Sequence, residues 1–521
     1  MKLIIMKKLN KIFTSIETAP KLFYFLIFLV AFIVHLIGLN QIGRTWDEEY
    51  KLDYGHLAWN LISVGDFSEG HWNVATEHPM VAKYIYGYAQ SSQALLLKNA
   101  FTGMAITEAD YNRTLNDNSI ITTIGYNTYL IPYDYTFARI LSAIFNSLAV
   151  MLTVMIAGIY MSKRWSLLPG LFLLLTPRFV FLGQLATFES ISVFLFCLLI
   201  IVFKRLLEKP NKLLPYIVTG ILSGLFFWTR YNNIIVFPFL AGWLGINFLE
   251  TKNKKIFNWK LFLIPLIAFF LGIAIWPTQW HSFPKYLLDS LSYHQNRFVG
   301  LSFYYWQYFL LATSIPLLAA FFVGIFVCLK ERNYKNYLLL WWVGLTIILY
   351  SIFCIKLGGT RYVVILYPSI AIIATIGFKK FLRKNKLLLL IPVLLFMFYE
   401  QSKAFPYYLD YYNQFIGRSG AIHNNLDFSW WGEGQREAGL WLRAHGAKKS
   451  KVGLLVVPKY VFPRLRQDQT TDFIEKPNNS DYIVVTRSVK IPSDFYKNYT
   501  LVFTVTTENE ALVYIYKKKM R

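Results

Sequence analysis

Three consecutive carboxylates, Asp47, Glu48 and Glu49, stand in the stretch RTWDEEYKLDYGH, directly after the first long apolar run. A carboxylate held at a membrane surface can accept a proton from an attacking hydroxyl group. The same stretch also suits the start of a helix. Thr45 can act as its cap, Glu48 stands three residues on, and acidic side chains favour the positive end of the helix dipole. The two roles are compatible.

A second motif lies farther along the same segment, in EHPMVAKYIYGYAQ. His78 is followed by Pro79, which is tolerated in a first helical turn. Lys83 follows Pro79 at helical spacing, and three tyrosines come next at positions that suit the lipid headgroup region. An acidic cluster followed by His-Pro-x-x-x-Lys indicates a chemical site more strongly than either motif does alone.

Membrane helices are the elements that must position these residues. The chain has 521 residues, of which 55% are hydrophobic and 16% charged, whereas globular domains carry about 25% charged residues. The net charge of +24 comes from short basic clusters between apolar runs, so no nucleic acid partner is predicted. The three cysteines lie inside apolar runs and supply neither a disulfide framework nor a metal cluster.

Eleven apolar runs approach the length of about 20 residues that a membrane-spanning helix needs. They are 22–40, 136–160, 165–182, 187–203, 214–229, 232–249, 261–278, 305–329, 338–355, 362–378 and 387–402. With the amino terminus in the cytoplasm, the short inner segments hold 23 lysines and arginines and the short outer loops hold 6. Basic residues favour the cytoplasmic side. We therefore expect a plasma (inner) membrane protein whose loop 41–135 and carboxyl terminus are extracytoplasmic.

The chain divides into a membrane domain, residues 1–402, and an extracytoplasmic soluble domain, residues 403–521. In the second part, GEGQREAGLWLRAHG predicts a helix that ends at Gly446. Four short segments, VGLLVVP, DYIVVTRS, TLVFTVT and ALVYIYK, predict strands. The predicted fold class is a mainly α-helical polytopic membrane protein with about eleven transmembrane helices and a small C-terminal α/β domain.

Several motifs follow one another along the chain: Asp47-Glu48, HPMVAK, ARILSAIFN, TRYVVILYPSIAII, YYLDYYNQFIG and WWGEG. In these motifs the chain resembles glycosyltransferase family 39 of the GT-C superfamily, a group that includes protein O-mannosyltransferases and lipid A aminoarabinose transferases. The resemblance covers most of the chain and is most specific at Asp47-Glu48 and at residues 78–83. It implies a GT-C-like enzyme that moves a sugar from a polyprenyl phosphate donor to an acceptor at the outer membrane face.

The resemblance also implies roles for individual residues. Asp47 matches the acidic residue that the family uses in catalysis, and Glu48 matches its neighbour. Lys83 matches the basic residue near the donor phosphate, and Arg139 matches a recurrent arginine at the outer mouth of the second span. These four residues are therefore the first candidates for the active site.

Other polar residues are weaker candidates for substrate binding: His78, Glu189, Arg230 and His294. Glu189 stands where the family more commonly has Asp, which weakens its assignment. Arg230 lies between two spans, where a charge is costly unless it faces a cavity or a partner. His294 lies on a predicted outer loop and fits a surface histidine better than a ligand-binding one. Met80 replaces a second proline of the family pattern and changes little.

The chemistry of sugar transfer fits these residue types. The acceptor hydroxyl needs a base within about 3 Å, for which we predict Asp47. The departing lipid phosphate needs fixed cations, for which Lys83, Arg139 and Arg361 are the candidates. A single displacement inverts the anomeric centre, and no nucleophile for a double displacement is evident. Glu48 could orient Asp47, hold a divalent metal ion or cap the helix, and no other cofactor is predicted.

Two other functions stay open at this stage: a flippase or transporter of a lipid-linked glycan, and a non-catalytic protein that binds one. Transporters usually place polar sites near the bilayer midplane and show internal repeats. Here the acids lie at an outer edge, and no repeat stands out. Neither the sugar, mannose included, nor the acceptor, whether protein, lipid or glycan, follows from the motifs.

Overall fold

The computed structural model describes residues 20–72, 78–100, 119–124, 127–132, 135–356, 358–382, 389–477 and 479–519, most of them in helices. The α-helices are α1 Pro20–Leu36, α2 Glu48–Ser63, α3 Glu69–Trp72, α4 Val81–Ala100, α5 Thr136–Ala157, α6 Lys163–Leu174, α7 Pro177–Gln184, α8 Phe188–Glu208, α9 Leu214–Phe227, α10 Val236–Thr251, α11 Leu263–Ile275, α12 Pro277–Ser282, α13 Lys285–Gln295, α14 Tyr304–Leu311, α15 Ile315–Glu331, α16 Tyr334–Ile352, α17 Leu366–Phe381, α18 Leu390–Ala404, α19 Gly417–His423, α20 Gln435–His445 and α21 Phe495–Asn498. Short 3-10 helices are Tyr231–Ile235, Lys254–Ile256, Trp259–Phe262, Gly359–Val363 and Tyr408–Asp410.

Membrane-spanning helices account for much of the amino-terminal 400 residues. Within the described ranges, five helices are long and apolar enough to cross a membrane, or six if the bent pair α6–α7 is one span. The five are Pro20–Gln41, Thr136–Ala157, Phe188–Glu208, Tyr231–Thr251 and Tyr334–Ile352. Other apolar helices, such as α9, are shorter. The protein is therefore a multi-pass membrane protein, although the predicted number of about eleven spans exceeds what length and composition support.

Two of the predicted runs are not continuous helices. Run 165–182 forms α6 and α7, which bend by 72° where Pro177 opens α7. Proline lacks the backbone N–H that would bond to the preceding turn and also clashes with that turn, so the helix axis breaks there. Run 305–329 forms α14 and α15, with Pro316 in the first turn of α15. Apolar length alone could not reveal these breaks.

Helices α2 and α4 of the predicted outer loop cross at a pair of glycines. A Cβ atom on Gly55 would lie 1.9 Å from the backbone oxygen of Lys83. A Cβ atom on Gly87 would lie 2.1 Å from the carbonyl carbon of Gly55. The two backbones come this close only because neither glycine has a side chain. The crossing holds Lys83 beside the helix that begins after Asp47.

Replacing Gly87 with Ala should destabilise this crossing. The new methyl group would collide with backbone atoms of Gly55, which cannot rotate away, so α2 and α4 would have to separate. Overpacking of this kind costs about 1–3 kcal/mol. We expect a lower midpoint of thermal unfolding in detergent for Gly87→Ala. Gly245→Ala is the control, because a Cβ atom there meets nothing within 4 Å; equal unfolding midpoints for both variants would contradict the prediction.

The carboxyl-terminal region is a small α/β domain. Its strands are β3 Lys451–Leu455, β4 Thr470–Ile474, β5 Tyr482–Thr486, β6 Tyr499–Thr507 and β7 Glu510–Lys518, and a separate hairpin in the outer loop has strands β1 Ser119–Ile124 and β2 Asn127–Pro132. The five-stranded sheet has the order β4-β3-β5-β7-β6. Strand β3 pairs in parallel with β4 and β5, whereas β7 pairs antiparallel with β5 and β6. The four predicted strands are present, and β4 is an additional, largely exposed one.

The helix predicted before the sheet is α20, which ends at Gly446 as expected. Its buried face, with Ala438 and Leu442, packs in one core with inward residues of the sheet such as Val484. Tyr308 of α14 belongs to the same core, so the domain is joined to the membrane region by apolar packing. The predicted fold class, a helical membrane protein with a small C-terminal α/β domain, is confirmed.

Candidate active site

Asp47 and Arg361 form an ion pair although 314 residues separate them. Asp47 directly precedes α2, and its carboxylate does not cap that helix. Arg361 lies in the 3-10 helix Gly359–Val363, between α16 and α17. The side chain of Asp47 is 37% exposed and that of Arg361 is 7% exposed. The fold thus brings the predicted base and one predicted phosphate-binding residue together and leaves the carboxylate accessible.

Glu48, the next residue, forms a different and fully buried ion pair with Arg139. Arg139 donates from Nε and Nη2 to the two carboxylate oxygens of Glu48, at 2.8 and 2.6 Å. Its other N–H groups donate to the backbone oxygens of Leu39, Ile42 and Gly43. A guanidinium group has five N–H donors, and all five are used. This geometry does not support the predicted phosphate-binding role of Arg139.

The carboxylate of Glu48 also organises the start of α2. The backbone N–H and the hydroxyl group of Thr45 donate to Oε2, at 3.2 and 3.1 Å. The backbone N–H of Ala186 donates to Oε1 at 3.0 Å. Of the three roles left open for Glu48, this arrangement fits the helix-start role. A fully buried carboxylate with these partners does not support direct contact with a substrate.

Replacing Glu48 with Gln should therefore reduce stability more than chemistry. The variant would leave the buried charge of Arg139 without a counterion, and breaking a buried pair in this way costs about 3 kcal/mol or more. We expect a clearly lower unfolding midpoint in detergent, with transfer per folded molecule near that of the parent. Exposed Glu250→Gln is the control. Loss of transfer without loss of stability would instead give Glu48 a catalytic role.

Glu189 and Arg230 form another ion pair close to that of Asp47 and Arg361. Arg230 Nη1 lies 3.1 Å from Glu189 Oε1, and both side chains are buried. The guanidinium carbon of Arg230 lies 3.7 Å from the ring centroid of Tyr362. The guanidinium carbon of Arg361 lies 5.1 Å from the same centroid. Tyr362 therefore joins the two ion pairs, and a cation above an aromatic face is favourable.

Lys51 completes this group, and the sequence analysis did not single it out. Its ammonium group donates to the backbone oxygen of Asp47 and lies 4.5 Å from the ring centroid of Phe188. Burial lowers the pKa of Lys51, whereas Asp47 and Glu189 act in the opposite direction. The signal was present in the sequence, because Lys51 stands four residues after Asp47, one helical turn away. We call Asp47, Lys51, Glu189, Arg230 and Arg361 the charged cluster.

Of the remaining predicted residues, Lys83 and His78 lie at the edge of the charged cluster, and the side chain of His294 is not described. Lys83 is buried, and its ammonium group donates to the backbone oxygen of His78 at 2.6 Å. The ring of His78 lies edge-on to that of Phe188, with centroids 4.9 Å apart. Lys83 and His78 are thus close to the cluster through Phe188. His294 lies on α13, but its side chain is outside the described part of the structure.

The electrostatics of the charged cluster keep Asp47 ionised. Burial opposes ionisation of Asp47, but Arg361 and Lys51 outweigh that effect and hold its pKa well below the usual range. Asp47 and Glu189 formally balance Arg230 and Arg361, so the ammonium group of Lys51 is an additional positive charge. An excess of positive charge in a partly desolvated site favours an anionic ligand.

Two guanidinium nitrogens in the cluster have donor capacity left. Among the described residues, neither Nε of Arg361 nor Nε of Arg230 has a hydrogen-bond acceptor, and both atoms are buried. Buried N–H groups are normally paired, because leaving one unpaired costs about 1–3 kcal/mol. The two nitrogens belong to arginines that contact the same ring, that of Tyr362. This is the arrangement expected of a site that receives a phosphate oxygen.

A metal site of the usual composition is not found in the described ranges. There, no group of three or more His, Cys, Asp and Glu side chains is placed to hold an ion. Glu48, which was one candidate ligand, is occupied by Arg139 and by the start of α2. Arginine and lysine side chains of the charged cluster offer charge stabilisation to an anionic ligand.

Comparison with known proteins supports the resemblance seen in the motifs. Residues 124–276 match the family model of the dolichyl-phosphate-mannose-protein mannosyltransferases. This segment runs from the end of the outer loop to α11 and includes Arg139, Glu189 and Arg230. No curated protein sequence matches the chain.

Two solved structures are similar to the chain over long stretches. ArnT from Cupriavidus metallidurans bound to undecaprenyl phosphate is 12% identical, with a TM-score of 0.48, over 94% of this chain and 97% of that one. The oligosaccharyltransferase of Archaeoglobus fulgidus is 11% identical, with a TM-score of 0.43, over 81% of this chain and 58% of that one. The family match over residues 124–276 agrees with the predicted resemblance within that segment of the chain.

Proposed function

We propose that the protein transfers a sugar from a polyprenyl phosphate to an acceptor at the outer membrane face, by a single displacement that inverts the anomeric centre. One observation carries this proposal. An accessible carboxylate, Asp47, contacts Arg361, whose buried Nε has no acceptor among the described residues. A base and a phosphate-binding cation side by side are what attack on a sugar phosphate needs. The family description, which names a dolichyl-phosphate sugar, supports the same donor class.

The ion pair also suggests how the base is activated. While Arg361 neutralises Asp47, the carboxylate is a weak base because its pKa is held low. A donor phosphate that takes the N–H groups of Arg361 would weaken that contact and raise the proton affinity of Asp47. The acceptor hydroxyl then loses its proton to Asp47 as its oxygen bonds to the anomeric carbon, and the bond to the phosphate oxygen breaks. Arg361, Arg230 and Lys51 stabilise the departing phosphate.

We propose an extracytoplasmic active site, with the amino terminus in the cytoplasm and the carboxyl terminus outside, in the plasma (inner) membrane. The distribution of basic residues supports this orientation. The contacts between the first loop and the C-terminal domain also support it. Arg44 Nη1 donates to the backbone oxygen of Tyr460 at 3.4 Å. The backbone N–H of Trp46 donates to the backbone oxygen of Trp431, also at 3.4 Å. Both segments must therefore lie on one side of the membrane.

The experiment is single-turnover transfer from radiolabelled polyprenyl-phosphate sugars to envelope acceptors, with the purified protein in nanodiscs. A panel of mannose, glucose and galactose donors is compared, and the acceptor fraction is separated into protein, lipid and glycan. Label in an acceptor fraction is the expected result. Donor binding without any transfer would favour the flippase or the non-catalytic binder instead.

A further inference from the structure

Two adjacent tryptophans from the C-terminal region lie over the charged cluster. The rings of Trp430 and Trp431 are stacked, with centroids 5.6 Å apart and planes inclined by 10°. The guanidinium carbon of Arg361 lies 4.7 Å from the ring centroid of Trp431 and 5.5 Å from that of Trp430. The backbone oxygen of Trp431 accepts from Trp46, the residue before Asp47. The pair therefore adjoins Arg361 and, through Trp46, the backbone next to Asp47.

The backbone around this pair is held in an unusual conformation. Ser429, directly before the pair, has φ +49°, and Gly432, directly after it, has φ +107°. A Cβ atom on Gly432 would lie 2.8 Å from the backbone oxygen of Arg44. A non-glycine residue in the left-handed region persists only where the surroundings enforce it, and such residues concentrate at functional sites. The position of the two rings is thus imposed by the fold.

Two buried carboxyl groups enforce that conformation. Asp410 accepts from the backbone N–H of Ser429 at 2.9 Å, and Glu433 accepts from that of Trp431 at 2.8 Å. Burial raises the pKa of Asp410 and that of Glu433 above their usual values. Burying two acids is costly, and here each fixes one side of the tryptophan pair. A loop that only faces solvent would not need two buried carboxyl groups to fix its backbone.

The two tryptophans differ in exposure. Trp431 is fully buried, between Arg361, Trp430 and the ring of Phe181, whose centroid lies 6.3 Å away. Trp430 is only partly buried. Trp431 stacks on one of its faces, so the exposed part of Trp430 lies elsewhere on the side chain. The ring of Trp431 is the closer of the two to Arg361 and already covers it. Contact with Arg361 therefore does not explain why part of Trp430 is exposed.

We propose that Trp430 is the surface on which the sugar ring of the donor stacks, and that this sugar is a pyranose. This inference rests on the proposed function. A pyranose presents C–H groups on one face, which pack against an aromatic ring, while its hydroxyl groups stay available for hydrogen bonds. The sugar is joined to the phosphate through one oxygen, so a phosphate on Arg361 puts the ring next to Trp430. Trp430 is then a residue that selects the sugar rather than the lipid.

The test compares polyprenyl phosphate without a sugar with three forms that carry one. Binding of polyprenyl phosphate, and of polyprenyl phosphate bearing mannose, glucose or galactose, is measured for the parent, Trp430→Ala and Trp430→Phe in nanodiscs. For the sugar-bearing lipid that the parent binds best, Trp430→Ala should lose about tenfold in affinity, or about 1.4 kcal/mol. Its affinity for the sugar-free lipid should not change. Trp430→Phe should recover part of the loss, because it restores an aromatic face.

The control is Trp441→Phe, in α20, where the ring stacks on Phe503 of β6 away from the charged cluster. It should bind both ligands as the parent does. Equal losses for both ligands in Trp430→Ala would overturn the inference and make Trp430 a support for the phosphate site. Unchanged affinity of Trp430→Ala for both kinds of lipid would also overturn the inference. The proposed function would still stand in that case if the parent transfers sugar. A parent that binds neither lipid would overturn both proposals.

Discussion

Replacing Asp47 with Asn is expected to lower the rate of sugar transfer by about three orders of magnitude while donor binding persists. Asn cannot accept the proton of the acceptor hydroxyl, but it nearly preserves the shape of the side chain. The substitution also removes the carboxylate that competes with the donor phosphate for Arg361. Affinity for polyprenyl phosphate should therefore stay the same or increase. Single-turnover transfer and lipid binding, measured on one preparation, separate the two effects.

The matched control is Asp53→Asn, the same substitution on the same helix at an exposed position. It should transfer sugar at nearly the parental rate. If Asp47→Asn transfers within about threefold of the parent, Asp47 is not the base, since general bases contribute about 10²–10⁴-fold. If it loses donor binding together with transfer, the residue acts in binding rather than in proton transfer.

Replacing Arg361 with Gln is expected to lower transfer by about 10²–10³-fold and to weaken binding of polyprenyl phosphate. The change also has a predictable effect on pH dependence. Burial raises the pKa of Asp47, and Arg361, followed by Lys51, lowers it by more. Without Arg361 the pKa of Asp47 must rise. Because only the ionised carboxylate is a base, the acidic limb of the pH–rate profile should move to higher pH.

Arg297→Gln, an exposed substitution on a predicted outer loop, is the control for general effects of charge on the same side of the membrane. It should change neither the rate nor the pH profile. An Arg361→Gln variant whose residual activity keeps the parental acidic limb would show that Arg361 does not control the ionisation of Asp47. Donor affinity equal to that of the parent would remove Arg361 from the phosphate site.

Asp47 and Glu48 are neighbours in one motif, but the motif does not predict that their environments differ. The resemblance favours Asp47 as the base and left three roles open for its neighbour Glu48, but the local sequence gives no physical reason for that difference. In the structure, Asp47 is accessible and contacts Arg361, whereas Glu48 is enclosed with Arg139. The two side chains leave the backbone in different directions, and their partners come from segments far along the chain. Burial and long-range pairing, which a motif does not encode, separate the two.

A similar contrast applies to the cations. The resemblance implies phosphate-binding roles for Arg139 and Lys83, yet all five N–H donors of Arg139 are used within the protein. The motifs do not single out Lys51, which lies one helical turn from Asp47. Helical spacing was the one usable signal for Lys51. Arg230, by contrast, was recognised because a charge between two apolar runs needs a reason, and Glu189 is the partner that stabilises it.

The amino-acid sequence by itself determined the membrane class, the location of most apolar helices and the α/β nature of the carboxyl-terminal region. These follow from local composition and periodicity, which act over one or two helical turns. The candidate site residues were predicted from motifs and from the family resemblance. Only the tertiary structure decided which carboxylate stays accessible, which arginine retains donor capacity, and that Trp430 lies beside Arg361. Those properties depend on contacts between segments hundreds of residues apart, and close packing of the helices and the C-terminal domain creates them.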